Sequence, residues 1–204
     1  MSMEANKVVG SAGQKRGMTG FELPALKHLG ELAGTRPIII CDRREQTPLL
    51  FERLESRPGT LQTGDYSIAG LETLFSIERK TIDDLANCCT GPNRERFERE
   101  LQRLRAYRFK RLLVVGTEED ICRCRYHSSV TPKAVFATLG AFEARFDLPV
   151  VFISCPRLAG RKIESWAFWF VREYVLAANG LLRAAIYQEI NRITNGEEVP
   201  NGQS

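Results

Sequence analysis

The sequence GDYSIAGLETLFSIERKTIDD, residues 64–84, contains two strand-like runs, YSI and FSIERK, with the turn signal Ala-Gly after the first. Side chains alternate between the two faces of a strand, so Glu78 and Lys80 should leave one face and Arg79 the other. If the two runs pair as a hairpin, Asp65 comes close to Glu78. Two carboxylates and one ammonium group then converge on a single site.

This combination of groups suits the hydrolysis of a phosphodiester. Oxygen ligands such as Asp65 and Glu78 are those that Mg²⁺ or Mn²⁺ prefers, and such an ion activates a bound water and neutralises developing charge. Lys80 is a compact cation that can orient the attacking water or stabilise the phosphate oxygens. The spacing by itself also fits a surface strand with a salt-bridged face, since short motifs often arise by chance.

Four short segments follow one another along the chain: Asp42-Arg43-Arg44-Glu45, Gly64-Asp65-Tyr66, Glu78-Arg79-Lys80 and Asp84-Leu85. In this order they resemble the signature of the XPF-type nuclease domain of structure-specific DNA endonucleases. The likeness covers about residues 36–175 and is greatest to compact single-domain members from bacteria and their phages. It implies an α/β fold with a mixed central sheet flanked by helices, a restriction-endonuclease-like nuclease core, and metal-dependent cleavage of branched, flap or junction DNA.

The resemblance also implies roles for individual residues. Asp65 and Glu78 would be the principal ligands of Mg²⁺ or Mn²⁺, and the backbone carbonyl of Arg79 would complete the metal shell. Lys80 would position the nucleophilic water or stabilise charge, and Asp42 would be a second-tier ligand or hold a water. Positions that support the site would be Arg44, Glu45 and Asp84.

Two of these aspartates also have purely structural interpretations. Asp42 ends the apolar run Pro37–Cys41, which is typical of a buried central strand. Ligand sites gather at the carboxyl ends of strands in α/β sheets, so Asp42 is placed for a metal-directed role, although it also suits a turn cap. Asp84 falls in the first turn of a helix predicted to begin after Thr81, where a carboxylate stabilises the helix with or without a catalytic role.

Residues 94–107 predict an amphipathic helix with a basic face. At about 100° per residue, Phe97, Leu101 and Leu104 share one arc, and three arginines share another. The span 94–111 contains eight basic and three acidic residues, so it is more basic than the whole chain, whose formal charge is +4. Such a face is either a solvated surface with i,i+4 ion pairs or a phosphate-binding surface. The three arginines are Arg96, Arg99 and Arg103.

Outside this core, residues 1–20 predict a disordered tail, 36–178 the nuclease domain, and 179–204 a last helix and tail. Eukaryotic and archaeal relatives usually add a helix-hairpin-helix tandem that grips duplex DNA. Residues 179–204 are too few for such a tandem, so a separate DNA-binding partner or a second copy of the chain would supply the grip.

Neither a signal peptide nor a membrane span is evident, because residues 1–20 lack an apolar core and no apolar run is long enough. We therefore expect a cytoplasmic protein if the chain is bacterial or from a phage, and a nuclear one if it is eukaryotic. The six cysteines should be free thiols. Cys122, Cys124 and His127 fit no standard zinc module, and ordinary thiols are favoured over a zinc site.

The remaining pattern predicts an α/β alternation of strands and helices. Helices are expected over residues 81–89, 118–124 and 131–146, with strands over 112–115 and 149–153. A further helix is expected over residues 48–56, ended by Pro58-Gly59. Two C-terminal helices, 158–178 and 181–193, should be separated by a break at Asn179-Gly180.

The aromatic cluster of the first C-terminal helix has two interpretations. Trp166, Phe168 and Trp169 lie on more than one side of that helix, which favours an interface in a two-fold homodimer. Alternatively, the last helix folds back and covers them within one chain.

Two other functions compete with the nuclease interpretation. One is a non-catalytic DNA-binding or scaffold subunit of a nuclease complex, which the intact Asp65, Glu78 and Lys80 set disfavours. The other is an RNA or small-molecule phosphodiesterase, which the arginine row disfavours because it suits a long polyanion. DNA repair and DNA recombination are the processes in which cleavage of branched DNA would be used.

Overall fold

A computed structural model describes residue 34 and residues 36–194 of the chain. They form a six-stranded sheet with helices on both faces, which is the predicted fold class. The predicted tails, 1–20 and 195–204, lie outside the described residues. In chain order the elements are β1 (Ile39–Asp42), β2 (Ser56–Gly59), β3 (Tyr66–Ile68), β4 (Phe75–Thr81), α1 (Ile82–Asn87), α2 (Gly91–Leu104), β5 (Phe109–Val115), α3 (Glu118–Cys122), α4 (Pro132–Phe146), β6 (Val150–Ile153) and α5 (Pro156–Thr194).

The sheet is mixed and has the strand order β2-β1-β3-β4-β5-β6. β3 pairs antiparallel with both β1 and β4, and all other pairs are parallel. The predicted hairpin is therefore confirmed, with Tyr66 of β3 opposite Ile77 of β4. Pro58, expected to stop a helix, lies in the edge strand β2, where its missing N–H is tolerated.

Alternation along β5 separates the two hydrophobic cores. Leu112 and Val114 pack with the helices α1 to α4 on one face of the sheet, whereas Leu113 packs with Ile163 and Ala167 of α5 on the other. The sheet is thus the middle layer of an α/β/α sandwich. On β4 the same alternation directs Phe75, Ile77 and Arg79 toward α5, and Glu78 and Lys80 toward α1 and α2.

Threonine caps begin three helices at the predicted positions. Thr81 and Thr117 each form a capping box with the aspartate three residues later, at the start of α1 and α3. Thr131 accepts a hydrogen bond from the Ala134 N–H and is followed by proline at the first turn of α4. These signals are local in sequence, which is why the helix starts were predictable.

The helix predicted over residues 48–56 is wrong. The segment is irregular up to residue 55, because its backbone N–H groups donate to distant side chains instead of to helical carbonyls. The N–H of Leu49 donates to the Tyr66 hydroxyl at 2.9 Å, and that of Leu54 donates to the Glu164 carboxylate at 3.0 Å. Gly160 of α5 allows the close passage of this segment, since a Cβ there would lie 2.3 Å from the Leu50 carbonyl oxygen.

The predicted break at Asn179-Gly180 is also wrong. α5 is continuous from Pro156 to Thr194, and the glycine lies in its interior, where it costs only about 1 kcal/mol relative to alanine. The last helix therefore does not fold back over the aromatic cluster. Phe168 is nonetheless fully buried, and Trp169 is 40% exposed.

None of the helices within residues 36–194 combines the length and apolarity needed to cross a membrane. Among the described residues, Cys122, Cys124 and His127 are not grouped as a metal site. Cys122 and Cys124 are exposed, and His127 contacts Asp83 through its backbone N–H and Nδ1, at 2.8 and 3.0 Å.

Candidate active site

Asp65 is held between β3 and β4 by backbone contacts. Its N–H donates to the Ile77 carbonyl at 2.8 Å, and its Oδ2 accepts the Arg79 N–H at 2.7 Å. The preceding Gly64 has φ +82°, and a Cβ there would lie 2.2 Å from Ser76 Oγ. Only glycine fits this turn, so the Gly-Asp pair fixes the carboxylate beside β4.

Glu78 and Lys80 lie side by side on the face of β4 that turns toward α1 and α2. Glu78 Oε1 and Lys80 Nζ are 2.7 Å apart, and the Glu78 side chain is buried. The ammonium lies 4.9 Å from the centroid of the Phe97 ring of α2, within cation–π distance. The lysine is therefore fixed by a carboxylate and an aromatic ring.

The carboxylates of this site are costly to ionise. Burial raises the pKa of Asp65, although the Arg79 N–H and Lys80 oppose the shift. Burial and then the charge of Asp65 raise the pKa of Glu78 against the opposing Lys80. Burial would lower the pKa of Lys80, but Glu78 outweighs it and raises that pKa. Without a bound cation, burial therefore disfavours the ionised form of both carboxylates, although Lys80 opposes this.

Arg79 turns to the opposite face of β4 and supports the site from there. Its guanidinium lies 3.1 Å from Glu45 Oε1 and donates to Thr47 Oγ1 at 3.0 Å. Glu45 also accepts the Thr47 N–H at 2.9 Å. The Arg79 side chain therefore connects the segment that follows β1 to β4, at the residue whose N–H donates to Asp65.

Asp42 is saturated with hydrogen bonds. Its Oδ1 accepts from the Arg44 N–H and Nε at 2.9 and 2.7 Å, and its Oδ2 from Arg44 Nη2 and the Leu61 N–H at 3.1 and 2.7 Å. Burial opposes ionisation, but these donors outweigh it and lower the Asp42 pKa to about 2. The four acceptor positions of the carboxylate are occupied, so direct metal binding by Asp42 would require one of these bonds to break.

A cleft of about 300 Å³ opens beside Lys80, between α1 and α2. Asp84 lines it and also caps α1, since its Oδ2 accepts from Thr81 Oγ1 at 2.7 Å. Asp84 therefore caps α1 and also borders the cleft. Sequence reasoning missed three polar lining residues, because only the packing of α2 beside α1 brings them to Lys80: Asn87, Asn93 and Glu100.

The arginine row of α2 borders the same region. Arg96 lines the cleft and is 78% exposed, with Glu100 at 3.9 Å. Arg103 Nε donates to Thr63 Oγ1 at 3.1 Å, next to the Gly64-Asp65 turn. Arg99 is exposed between them. The row therefore extends from the cleft to the loop that carries Asp65.

Within the part of the chain that the structure describes, no three His, Cys, Asp or Glu side chains are grouped to hold a metal ion. The available protein ligands are the carboxylates of Asp65 and Glu78 and, as the family resemblance implies, the Arg79 carbonyl. Two buried, mutually repelling carboxylates fit a hard divalent cation, which would neutralise their charge and can keep several waters as further ligands.

Comparisons with known proteins place this chain in a family. Residues 39–165, more than half of the 204-residue chain, match the model of the ERCC4 domain. No match was found among the curated proteins.

The solved structures similar to this chain include XPF from Aeropyrum pernix, with a TM-score of 0.51 and 22% identity over 64% of this chain and 60% of the other. The same archaeal protein in complex with DNA gives a TM-score of 0.53 and 22% identity over 68% and 66%. This chain thus spans about 60% of the length of the first structure. The neighbours share the mixed sheet with flanking helices, which confirms the predicted nuclease-type fold. By the match over residues 39–165, the chain belongs to the ERCC4 domain family.

Proposed function

We propose that this protein is a divalent-metal-dependent DNA endonuclease that hydrolyses phosphodiester bonds in branched, flap or junction DNA. The observation that carries the proposal is the buried pair Asp65 and Glu78 with Lys80 2.7 Å from Glu78, beside a cleft bordered by arginines. The similarity to a DNA-bound XPF structure supports DNA as the polymer. Such an enzyme would serve DNA repair or recombination, in the cytoplasm of a bacterium or the nucleus of a eukaryote.

Asp65 and Glu78, with the Arg79 carbonyl, would hold Mg²⁺ or Mn²⁺. When bound, the ion supplies an activated water and neutralises charge at the scissile phosphate. Lys80, fixed by Glu78 and the Phe97 ring, would donate to the attacking water or to a non-bridging phosphate oxygen. Each of these groups is held by the backbone or by packing, so little reorganisation would be needed for reaction.

The remaining site residues would act by positioning. Asp42 holds Arg44 and the Leu61 N–H, and a bound metal would have to compete with them for its carboxylate. Glu45 holds Arg79, and Asp84 holds the start of α1 at the edge of the cleft.

The proposal is tested with purified protein on labelled flap, fork, nicked and linear duplex DNA. We expect cleavage with Mg²⁺ or Mn²⁺, none with EDTA, and faster cutting of the branched forms. Glu78→Gln protein purified in parallel controls for contaminating nucleases. Binding of branched DNA without cutting under any of these conditions would favour the non-catalytic subunit instead.

Changing Arg96, Arg99 and Arg103 together to alanine should weaken DNA binding regardless of sequence. Each phosphate contact releases counterions, so losing one should flatten the plot of log affinity against log salt by about 0.7–0.9. A matched control replaces Arg57, Arg123 and Arg157, which pair with acidic residues elsewhere. A salt slope equal to that of the wild type would identify the row as a solvated helix face.

We also propose that the protein is a homodimer, although not through the whole aromatic cluster, since Phe168 is buried. The distal part of α5 exposes large apolar residues, and a stripe such as Leu182 and Ile186, four residues apart, is self-complementary. In an antiparallel pair centred on Ile186, Arg183 of one copy would oppose Glu189 of the other. The exposed residues are Leu181, Leu182, Ile186, Tyr187 and Ile190.

Light scattering at micromolar concentration should therefore give twice the chain mass of 23.1 kDa. Ile186→Glu should yield the monomer by burying an unpaired charge in the contact. Leu50→Glu, a comparable change at an exposed residue outside α5, should leave the dimer intact. A 23.1 kDa species for the wild type would rule the dimer out.

A further inference from the structure

A row of aromatic rings follows α5 on the side of the sheet opposite the cleft. Trp166, Phe170 and Tyr174 recur every four residues, about 6 Å apart along the helix axis. Phe109 of β5 joins them, with its ring centroid 5.9 Å from that of Trp166 and 5.7 Å from that of Phe170. Phe170 and Tyr174 are stacked at 6.3 Å. All four rings are half-buried, and we refer to these four residues as the aromatic strip.

Three cations border the aromatic strip. Lys162 Nζ lies 5.3 Å from the Trp166 ring centroid, at the position four residues before it on α5. Arg108 Cζ lies 6.0 Å from the centroid of Tyr174, and Arg111 Cζ lies 4.2 Å from that of Phe109. Lys162 and Arg108 are exposed to solvent. Each of Trp166, Tyr174 and Phe109 therefore has one cation beside its ring.

Acidic groups do not neutralise these cations. Among the described residues, none of the three forms an ion pair. The neighbouring carboxylates are engaged elsewhere, Asp147 with Lys110 at 2.9 Å and Glu173 with Arg172. Burial lowers the pKa of Arg111, and the more distant Asp147 opposes this only in part.

We propose that the aromatic strip and its three cations form a second nucleic-acid surface, which binds an unpaired DNA strand. Bases of a single strand can stack on protein rings, whereas paired bases in a duplex cannot, and cations beside the rings suit the phosphates. Phe109 is already stacked on Phe75, with ring centroids 4.7 Å apart, so bases would stack on the half-buried rings of α5, Trp166, Phe170 and Tyr174.

The position of the strip gives this surface a use in the proposed reaction. Phe109 pairs with Phe75 of β4, which lies four residues, or about 13 Å, before Arg79. The strip is on the α5 face, whereas Glu78 and Lys80 are on the other. One molecule would therefore contact two diverging arms of a branched substrate, the cut arm at the cleft and an unpaired arm at the strip. This inference rests on the proposed function in taking DNA as the substrate.

Tryptophan fluorescence tests the inference directly. The chain has two tryptophans, so Trp169→Phe leaves Trp166 as the only tryptophan, which can be excited selectively. This protein is titrated in EDTA, which prevents metal-dependent cutting, with oligothymidylate and with a blunt duplex of the same strand length. We expect the single strand to quench Trp166 by stacking, and the duplex to bind without comparable quenching.

Charge variants made in the same Trp169→Phe protein complete the test. Lys162→Ala and Arg108→Ala should each weaken single-strand binding and reduce the salt slope by about 0.7. Arg57→Ala is the matched control, since it removes one exposed positive charge on β2 that already pairs with Glu55. It should change neither quantity.

Three results would overturn the inference. Absence of quenching, with duplex binding and cleavage intact, would remove the strip as a DNA surface and leave the proposed function standing. Failure to bind any DNA would contradict the proposed function itself. Trp166 emission that changes on dilution without DNA, together with a fall in the scattered-light mass, would make the strip a subunit contact.

Discussion

Proteins carrying Lys80→Ala or Glu78→Gln are expected to cut branched DNA roughly 10³-fold more slowly than the wild type, or worse, while binding it at least as tightly. In the proposed mechanism both groups act where charge develops at the scissile phosphate, so they would stabilise the transition state more than the bound substrate. Single-turnover cleavage measures the rate, and fluorescence anisotropy in EDTA measures binding. Circular dichroism verifies that each variant is folded.

Matched controls are available on neighbouring elements. Lys110→Ala removes a lysine of β5 that pairs with Asp147. Glu98→Gln neutralises a glutamate of α2 that pairs with Arg94. Both should cut at nearly the wild-type rate. Undiminished cutting by Lys80→Ala would remove this lysine from the mechanism.

The largest loss of stability is expected from Glu164→Ala, which should lower the free energy of unfolding by about 3–5 kcal/mol. Glu164 is fully buried in α5 and accepts three hydrogen bonds, from the N–H groups of Arg53 and Leu54 and from Arg53 Nε at 2.9 Å. Its removal leaves these donors without that carboxylate and the guanidinium without its counter-charge. Urea unfolding of both proteins gives the difference directly.

Glu173→Ala is the control for this stability change, because it makes the same substitution at an exposed position of the same helix, outside the proposed dimer contact. We expect it to change the free energy of unfolding by less than about 0.5 kcal/mol. If Glu164→Ala lowered the free energy of unfolding by no more than the control, the irregular segment before β2 would be held by its buried leucines and the Leu49–Tyr66 hydrogen bond instead.

Sequence predicted those parts of the fold whose causes are local. The β3–β4 hairpin and the capped starts of α1, α3 and α4 follow from residues within a few positions of one another. Residues 48–56 failed because the partners of Leu49 and Leu54 are Tyr66 and Glu164, 17 and 110 residues away. Three leucines, Leu49, Leu50 and Leu54, followed by Pro58-Gly59 predicted a helix, and no local signal revealed those distant acceptors.

In the candidate site, too, only the features with local causes were predictable from sequence. The strand period placed Glu78 and Lys80 on one face of β4, and the hairpin placed Asp65 beside them. Saturation of Asp42 depends on the Leu61 N–H, 19 residues away in an irregular loop. Glu100 was interpreted only as one of several charged residues on α2. Its position in the cleft could not be predicted, because it depends on how α2 packs beside α1. The features of the site that could not be predicted from sequence are those that depend on contacts between separate elements.

The bond from the Arg53 N–H to Glu164 spans 111 residues, and this has a consequence for biosynthesis. At a synthesis rate of about 5–20 residues per second, the ribosome needs roughly 5–20 s to proceed from one partner to the other. During that interval the β3–β4 hairpin is already made, but the stretch after β1 lacks its anchor. Glu45 and Thr47, which hold Arg79 behind Asp65, adjoin that stretch. In a nascent chain the stretch after β1, which adjoins the candidate site, therefore gains this anchor only after α5 emerges. Under the proposed function, DNA cutting would appear only when the domain is nearly whole.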